Sequence, residues 1–169
     1  MAQPEQPTPD QQNIGAQLAA FLYERRDQIV SDCMAAVERD EKVPTSDTLN
    51  RTQLRDDFPQ ILDNLAMVLN DAFSKDLKQQ AAWTAAVHGH LRWKEHYDIS
   101  ELLREFAHLR SVLNRHLVEF QALHQAIGAS WLFAVTIVHR YLDDAIRSSV
   151  DQYLAINERS RKKTDSSPR

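Results

Sequence analysis

Residues 98–123 read DISELLREFAHLRSVLNRHLVEFQAL, and their apolar side chains recur at every third or fourth position. This spacing puts them on one face of an α-helix. Asp98 and Glu101 stand three residues apart at its start, which is the spacing of a capping box. We therefore predict a helix here, the fourth of the chain. Its apolar stripe consists of Ile99, Leu102, Leu103, Phe106, Leu109, Leu113, Leu117 and Phe120.

The same period continues on both sides of this helix. It predicts a first helix from a cap at Asn13 to Asp40, and a second helical region over Thr48–Phe73 that kinks or restarts at Pro59. A third helix is predicted over Leu77–Glu95, and a fifth and longest over Gln125–Asn157. The chain has only 3 glycines and 6 prolines, too few for sandwiches, barrels or glycine-rich phosphate loops. The predicted fold class is all-α, a bundle of five to six helices with a long C-terminal helix.

Length and composition narrow the class of protein further. A chain of 169 residues fits one domain, and a formal charge of −4 argues against nucleic acid as the main partner. Cys33, the one cysteine, lies on an apolar stripe and is predicted to be a core residue in a reducing compartment. The longest apolar run, residues 131–138, is interrupted only by Thr136 and is too short to span a membrane, so a cytoplasmic location is expected.

Both ends of the chain are polar. Residues 1–13 hold three prolines and are predicted to be a disordered tail, and residues 158–169 a polar basic tail or linker. The helical domain is expected to cover residues 14–157.

The fifth predicted helix suggests a homodimer. Its length of about 50 Å exceeds the diameter of a domain of this size, so its last turns should pack against another chain or lead into another domain. We predict a parallel homodimer in which the fourth and fifth helices supply most of the interface. The predicted dimer seam has the 3–4 spacing of a helix–helix contact and comprises Trp131, Val135, Val138, Leu142 and Tyr153.

Five of the seven histidines lie between residues 88 and 116, which raises the question of a metal or haem. Glu105 and His108 match half of a di-iron motif, but a second Glu-x-x-His is absent, and so is His-Glu-x-x-His. We therefore expect no metal and no cofactor. Helical geometry puts His90 with Trp83 on the apolar side of the third helix, and puts His88 and Arg92, one turn apart, on a more polar flank.

Arg110 projects close to the middle of the apolar stripe of the fourth helix. A buried guanidinium needs a carboxylate partner, and Asp57, Asp63, Asp143 and Asp144 are all candidates. Its removal is expected to lower stability by about 2–4 kcal/mol. An anchor for an anionic ligand is the alternative role.

Gly89 lies inside the third helix, where it is less favourable than alanine by about 1 kcal/mol. Some other element should therefore approach its backbone closely. A tight turn near His96 can place His88 and Arg92 opposite Glu101 or Glu105. Such a network is either a clamp that fixes helix register or a sensor of protons or a small anion.

The residues of this region also form a longer pattern. They read HGxxRW at 88–93, YDxxELLxEF at 97–106 and LR at 109–110. The pattern resembles the central signature of the RsbRD-type N-terminal sensor domain, found in an RsbT co-antagonist and at the front of bacterial sensor histidine kinases. The matching positions are His88, Gly89, Arg92, Asp98, Glu101, Leu102, Leu103, Glu105, Leu109 and Arg110.

The resemblance implies a globin-like input domain without haem, which dimerises and passes a signal along its last helix. It implies a kinase or STAS-domain signalling partner and no particular ligand. The expected function is therefore a non-enzymatic sensor domain of a bacterial stress-response or two-component pathway. Two alternatives stay open at this point: a histidine-phosphotransfer protein with His88 or His90 as phosphoacceptor, and a haem-binding globin sensor.

Overall fold

A computed structural model describes residues 7–50, 55 and 58–165 of the chain. Within these ranges the protein is helical and contains no strand. This confirms the predicted all-α class and the long last helix. The elements, in chain order, are α1 (Pro9–Glu24), α2 (Arg26–Glu38), a 3-10 helix (Pro44–Thr48), α3 (Phe58–Asn70), α4 (Lys75–Lys94), α5 (Ile99–His124) and α6 (Gly128–Asp165).

The first predicted helix is in fact two helices, and it begins earlier than expected. Thr8 caps α1 through a capping box with Gln11, and Pro9 occupies the first turn, where its missing N–H is not needed. The predicted cap at Asn13 is therefore wrong. Arg25, at φ −98° and ψ 6°, interrupts the helix between α1 and α2.

The boundaries of the other helices also differ in part from prediction. In the second predicted region the helix α3 is described from Phe58, next to Pro59, while Leu49 is extended rather than helical. The predicted helix residues 51–54, 56 and 57 lie outside the described part. Residues 9–13 and 158–165, which the sequence analysis assigned to tails, belong to α1 and α6.

The start of α5 follows the sequence prediction closely. Asp98 accepts hydrogen bonds from the N–H groups of Ser100 and Glu101, and Glu101 closes the capping box. The turn before it contains His96 at φ 66°, a left-handed conformation that reverses the chain between α4 and α5. This turn brings the signature residues of both helices together.

Helix α6 packs most extensively against α4, while α1 packs on α3 and α2 on α5. The α4–α6 crossing is close because Gly89 faces the backbone of Ser149. A Cβ atom at Gly89 would lie 2.0 Å from the Ser149 carbonyl oxygen. The Ser149 hydroxyl donates a hydrogen bond of 2.6 Å to the carbonyl of Ala85. The close approach predicted at Gly89 is thus confirmed.

No helix in the described ranges has both the length and the apolar character required to cross a membrane.

Candidate functional site

A cluster of charged side chains lies buried between α4 and α5. His88 and Arg92, one turn apart on α4, and Glu105 on α5 all have side chains with 0% exposure. Arg92 Nε donates to Glu105 Oε2 at 2.8 Å, and His88 Nε2 lies 3.3 Å from the same oxygen. We call His88, Arg92 and Glu105 the buried cluster. The sequence predicted that these helices could bring a histidine, an arginine and a glutamate together, and the structure places these three in contact.

The turn after α4 holds Arg92 from its other side. Arg92 Nη1 donates to Glu95 Oε2 at 2.7 Å, and the guanidinium carbon lies 5.2 Å from the centre of the Tyr97 ring. The Tyr97 N–H in turn donates to the Arg92 carbonyl at 3.0 Å. The quoted signature contains Tyr97, but its place beside the guanidinium was not predicted. The position of Tyr97 directly after the helix that carries Arg92 is the sequence signal that could have predicted this contact.

Aromatic rings line the cluster around His88. Phe58 and Phe106 meet the imidazole edge-on, with ring centres 5.5 and 5.3 Å away. Both phenylalanines are buried in the core. Electrostatic interactions are strengthened where apolar groups displace water, so a charge change in this cluster affects its neighbours more than one at the surface would.

The surroundings keep both members of the central ion pair charged. Burial alone raises the pKa of Glu105, but the Arg92 charge and the neighbouring His88 outweigh burial and hold it below its ordinary value. Burial also opposes the charge of Arg92, yet the Glu105 carboxylate overcomes this effect and raises the Arg92 pKa. Burial, together with the Glu105 charge, raises the pKa of Tyr97, so its hydroxyl stays protonated.

Tyr97 also interacts with Glu105. The two side chains are close enough for the tyrosine hydroxyl to donate to the carboxylate, and this contact contributes to the raised pKa of Tyr97. The contact is weak, because Glu105 Oε1 and the Tyr97 hydroxyl, both buried, form no hydrogen bond of normal geometry among the described residues.

The other two acids predicted for the network, Asp98 and Glu101, have structural roles at the start of α5. Glu101 accepts hydrogen bonds from the N–H and hydroxyl of Thr45, both at 2.9 Å, and from the Asp98 N–H at 2.7 Å. Asp98 caps α5, and the hydrogen bonds from Ser100 lower its pKa. Of the two glutamates proposed to face His88 and Arg92, Glu105 does so, while Glu101 attaches the 3-10 helix to α5.

Arg110 is not part of the buried cluster. Its side chain is 37% exposed and pairs with Asp143, whose side chain is 57% exposed. The prediction that Arg110 is buried is wrong, because the apolar stripe of α5 is broad and Arg110 lies at its edge towards α6. Asp143 is one of the four acids that the sequence offered.

Replacement of Arg110 by alanine should therefore lower the free energy of unfolding by less than about 1 kcal/mol. Pairs this exposed to solvent contribute little, since water and salt screen them. Urea melts of Arg110→Ala and the parent chain measure the difference. A loss of several kcal/mol would show that Arg110 is a member of a buried ion pair, as the sequence analysis predicted.

The α4 face that enters the core is the opposite of the one predicted. His88 and Arg92 were assigned to a polar flank but are fully buried, whereas His90 is exposed and Trp83 is 73% exposed. The prediction failed because apolar residues occur all round α4, so that periodicity does not single out a face. The close crossing with α6 instead selects the side with the smallest residues, Ala81, Ala85 and Gly89.

The predicted dimer seam is also corrected in part. Val138 and Leu142 have 0% exposure within their own chain, so they do not face a partner. Trp131, Val135 and Tyr153 are half-buried. Trp131 stacks on Phe120 at 5.6 Å, and the Tyr153 hydroxyl donates to the Tyr97 carbonyl at 2.7 Å. The 3–4 pattern of α6 largely describes its packing in the monomer.

Cys33 and His108, two further residues with reactive side chains, have structural surroundings. Cys33 is fully buried, which confirms its prediction as a core residue. His108 Nε2 lies 2.8 Å from Asp40 Oδ2, and this contact, with further hydrogen bonds, lowers the pKa of Asp40 to about 2. No group of three or more potential metal ligands occurs among the described residues. A fully buried His88 is unsuited to accept a phosphoryl group from another protein.

Comparisons with known proteins place this arrangement in a family. The model of the RsbT co-antagonist protein rsbRD N-terminal domain matches residues 27–166, a range that contains the whole buried cluster. A search of curated proteins found no match, and neither did a search of solved structures. The resemblance drawn from the signature residues is thereby confirmed. The chain belongs to the family of the RsbT co-antagonist protein rsbRD N-terminal domain.

Proposed function

We propose that the chain is a non-catalytic signal-input domain that dimerises and relays a signal through α6 to a kinase or STAS-domain partner. Its pathway is a bacterial stress-response or two-component pathway. Membership of a family named after a regulatory co-antagonist supports a role in stress-response signalling.

The observation that carries the relay is the double attachment of α6 to the frame of the buried cluster. Ser149 contacts α4 at Ala85 and Gly89, next to His88. One turn later, Tyr153 bonds to the carbonyl of Tyr97, whose ring faces Arg92. Beyond these contacts α6 continues to Asp165. A rearrangement of the cluster therefore has a direct mechanical route into a long, continuous helix.

The cluster itself fits a switch better than a simple clamp. A clamp needs only well-formed pairs, whereas the buried contact between the Tyr97 hydroxyl and Glu105 has poor hydrogen-bond geometry. A weak buried contact of this kind allows a second arrangement of similar energy, as two-state elements require. We propose that the cluster has two such arrangements and that α6 reports which one is occupied.

A matched pair of tyrosines tests the relay. Tyr153→Phe removes the hydroxyl that bonds to Tyr97, and Tyr141→Phe removes a hydroxyl on the same helix that bonds to the Ile61 carbonyl at 2.6 Å. We expect Tyr153→Phe to change the output of a kinase core fused after Arg169 by about fivefold or more. Tyr141→Phe should leave the output close to that of the parent. Equal outputs from the two variants would contradict the relay.

The proposed dimer uses the outward face of α5 and α6, since the seam residues Val138 and Leu142 are buried. An exposed stripe of α5 without charge runs along this face and contains Leu103, Ala107, Ser111, Asn114 and Val118. Arg110 and Asp143 lie beside it and carry opposite charges. In a dimer with a two-fold axis along this face, Arg110 of each copy would face Asp143 of the other copy. A two-fold dimer requires this kind of self-complementary surface.

Val118→Glu should convert the proposed dimer into a monomer. Val118 is 66% exposed, so a glutamate there is tolerated by the monomer but would be desolvated in the interface. Val87→Glu, on the exposed side of α4, is the matched control and should stay dimeric. Light scattering at tens of micromolar concentration measures both masses. A parent chain that is monomeric under these conditions would refute the dimer.

A further inference from the structure

A groove of about 310 Å³ lies between the end of α3, the start of α4 and the middle of α6. This volume falls at the lower end of the range for small-molecule sites. Val68, Phe133 and Ile137 form apolar walls. The space exists because small side chains, among them Ala72, Ala81, Ala82 and Ala145, line the rest of the groove. None of the buried-cluster residues contributes to it.

The charges at the groove favour an anion. Lys78 and Arg140 both line it, together with one acid, Asp144. Asp144 is already paired with Arg147, at 3.1 Å, which lies outside the groove. Arg140 forms no ion pair with any residue in the described ranges. The groove therefore combines apolar walls with a positive charge that its own residues do not neutralise.

We propose that this groove binds an amphipathic anion, a monocarboxylate with a short aliphatic body. The carboxylate would meet Arg140 and Lys78, and the apolar body would cover the walls of Phe133 and Ile137. At about 30 Å³ for each water-sized group, the volume admits about ten heavy atoms. The Tyr141 hydroxyl, also at the groove, is occupied by the Ile61 carbonyl, so specificity rests on charge and size.

The groove lies between two of the helices that carry the proposed relay. Its α4 and α6 walls are continuous with the crossing at Gly89 and Ser149. Binding can be measured on the chain alone and does not depend on the proposed function. If the chain binds the anion but Tyr153→Phe and Tyr141→Phe give equal kinase outputs, the binding groove is supported and only the proposed relay is refuted.

Isothermal titration calorimetry of the full chain with octanoate, which has ten heavy atoms, tests the proposal. We expect a dissociation constant below about 1 mM. Octan-1-ol lacks the negative charge, octylammonium reverses it and acetate lacks the apolar body, so each should bind at least about tenfold more weakly. No binding of octanoate, or equal binding of the alcohol or the amine, would overturn the proposal.

Two substitutions locate the binding to this groove. Arg140→Gln removes the proposed anchor and should weaken octanoate binding about threefold to tenfold, while Arg159→Gln makes the same charge change elsewhere on α6 and should leave it unchanged. Ala82→Leu fills the groove and should abolish binding. Thermal melts confirm that each variant is folded. Equal weakening by Arg140→Gln and Arg159→Gln, or unaltered binding by Ala82→Leu, would refute the assignment.

Discussion

Arg92→Met is expected to lower the free energy of unfolding by about 3–5 kcal/mol, the range for removing one partner of a buried ion pair. Methionine fills much of the volume of arginine but leaves the Glu105 carboxylate buried without its guanidinium. Urea melts of the variant and the parent measure the loss. The matched control is Arg104→Met, which removes a half-exposed partner of Asp40 and should cost less than about 1 kcal/mol.

The double variant Arg92→Met/Glu105→Leu separates the ion pair from its burial. Replacing both charges by apolar side chains of similar size is often neutral, because no charge is left to desolvate. We expect the double variant to recover most of the stability lost in Arg92→Met. A double variant as unstable as the single one would show that shape, rather than uncompensated charge, is what Arg92 supplies.

The effect of Arg92→Met should also depend on pH in a defined direction. In the parent chain the pKa of Glu105 is lowered, so its ionised form stabilises the fold above about pH 4.3, and this contribution is lost as the pH falls through the folded pKa. Without Arg92, burial raises the Glu105 pKa and favours the protonated form. The deficit of the variant should therefore shrink between neutral pH and about pH 4. A deficit independent of pH would contradict this account.

Gly89→Ala is the second substitution with a large expected effect. The new Cβ would lie 2.0 Å from the Ser149 carbonyl oxygen, so α4 and α6 must move apart along their main contact. Overpacking of this kind typically costs about 1–3 kcal/mol and sometimes more, while alanine gains about 1 kcal/mol in helix propensity. Because the contact is with rigid backbone, we expect a net loss of about 2–3 kcal/mol.

Gly128→Ala provides the comparison for this prediction. Gly128 has φ 79°, which disfavours alanine by about 1–2 kcal/mol, but a Cβ there would meet nothing within 4 Å. It should therefore destabilise the chain without disturbing the α4–α6 contact. Hydrogen exchange of the α4 amides should increase in Gly89→Ala by more than its loss of global stability explains, whereas in Gly128→Ala it should follow the global stability alone. Unchanged exchange and stability in Gly89→Ala would mean that the crossing is not close in solution.

The sequence-based predictions were most accurate where a pattern of residues allowed only one structural interpretation. The stripe of α5 and the cap at Asp98 are local signals, and both elements occur as expected. Glycine inside a helix predicted the close approach to α6 because few other reasons favour glycine there. The partnership of His88 and Arg92 with a glutamate was also within reach, since one short turn joins the two helices.

The failures share a physical cause, which is that burial depends on contacts between helices distant in sequence. Helix α4 buries its small residues against Ser149, and this choice exposes Trp83. Arg110 stands at the edge of a stripe, where a small rotation of α5 decides whether it meets solvent or core. Val138 and Leu142 have the spacing of a dimer seam, but the spacing for packing within one chain is the same. Periodicity identifies an apolar face and leaves open what covers it.

We propose that the buried cluster sets the signal that leaves through α6. The double variant Arg92→Met/Glu105→Leu is the most direct test, because it is expected to stay folded while it lacks the central ion pair of the cluster. Autophosphorylation of a kinase core fused after Arg169 is measured for the parent and the variant, with folding checked by the same melts. The output of the folded variant should differ from that of the parent by about fivefold or more. A folded variant with the output of the parent would show that the buried cluster does not set the signal.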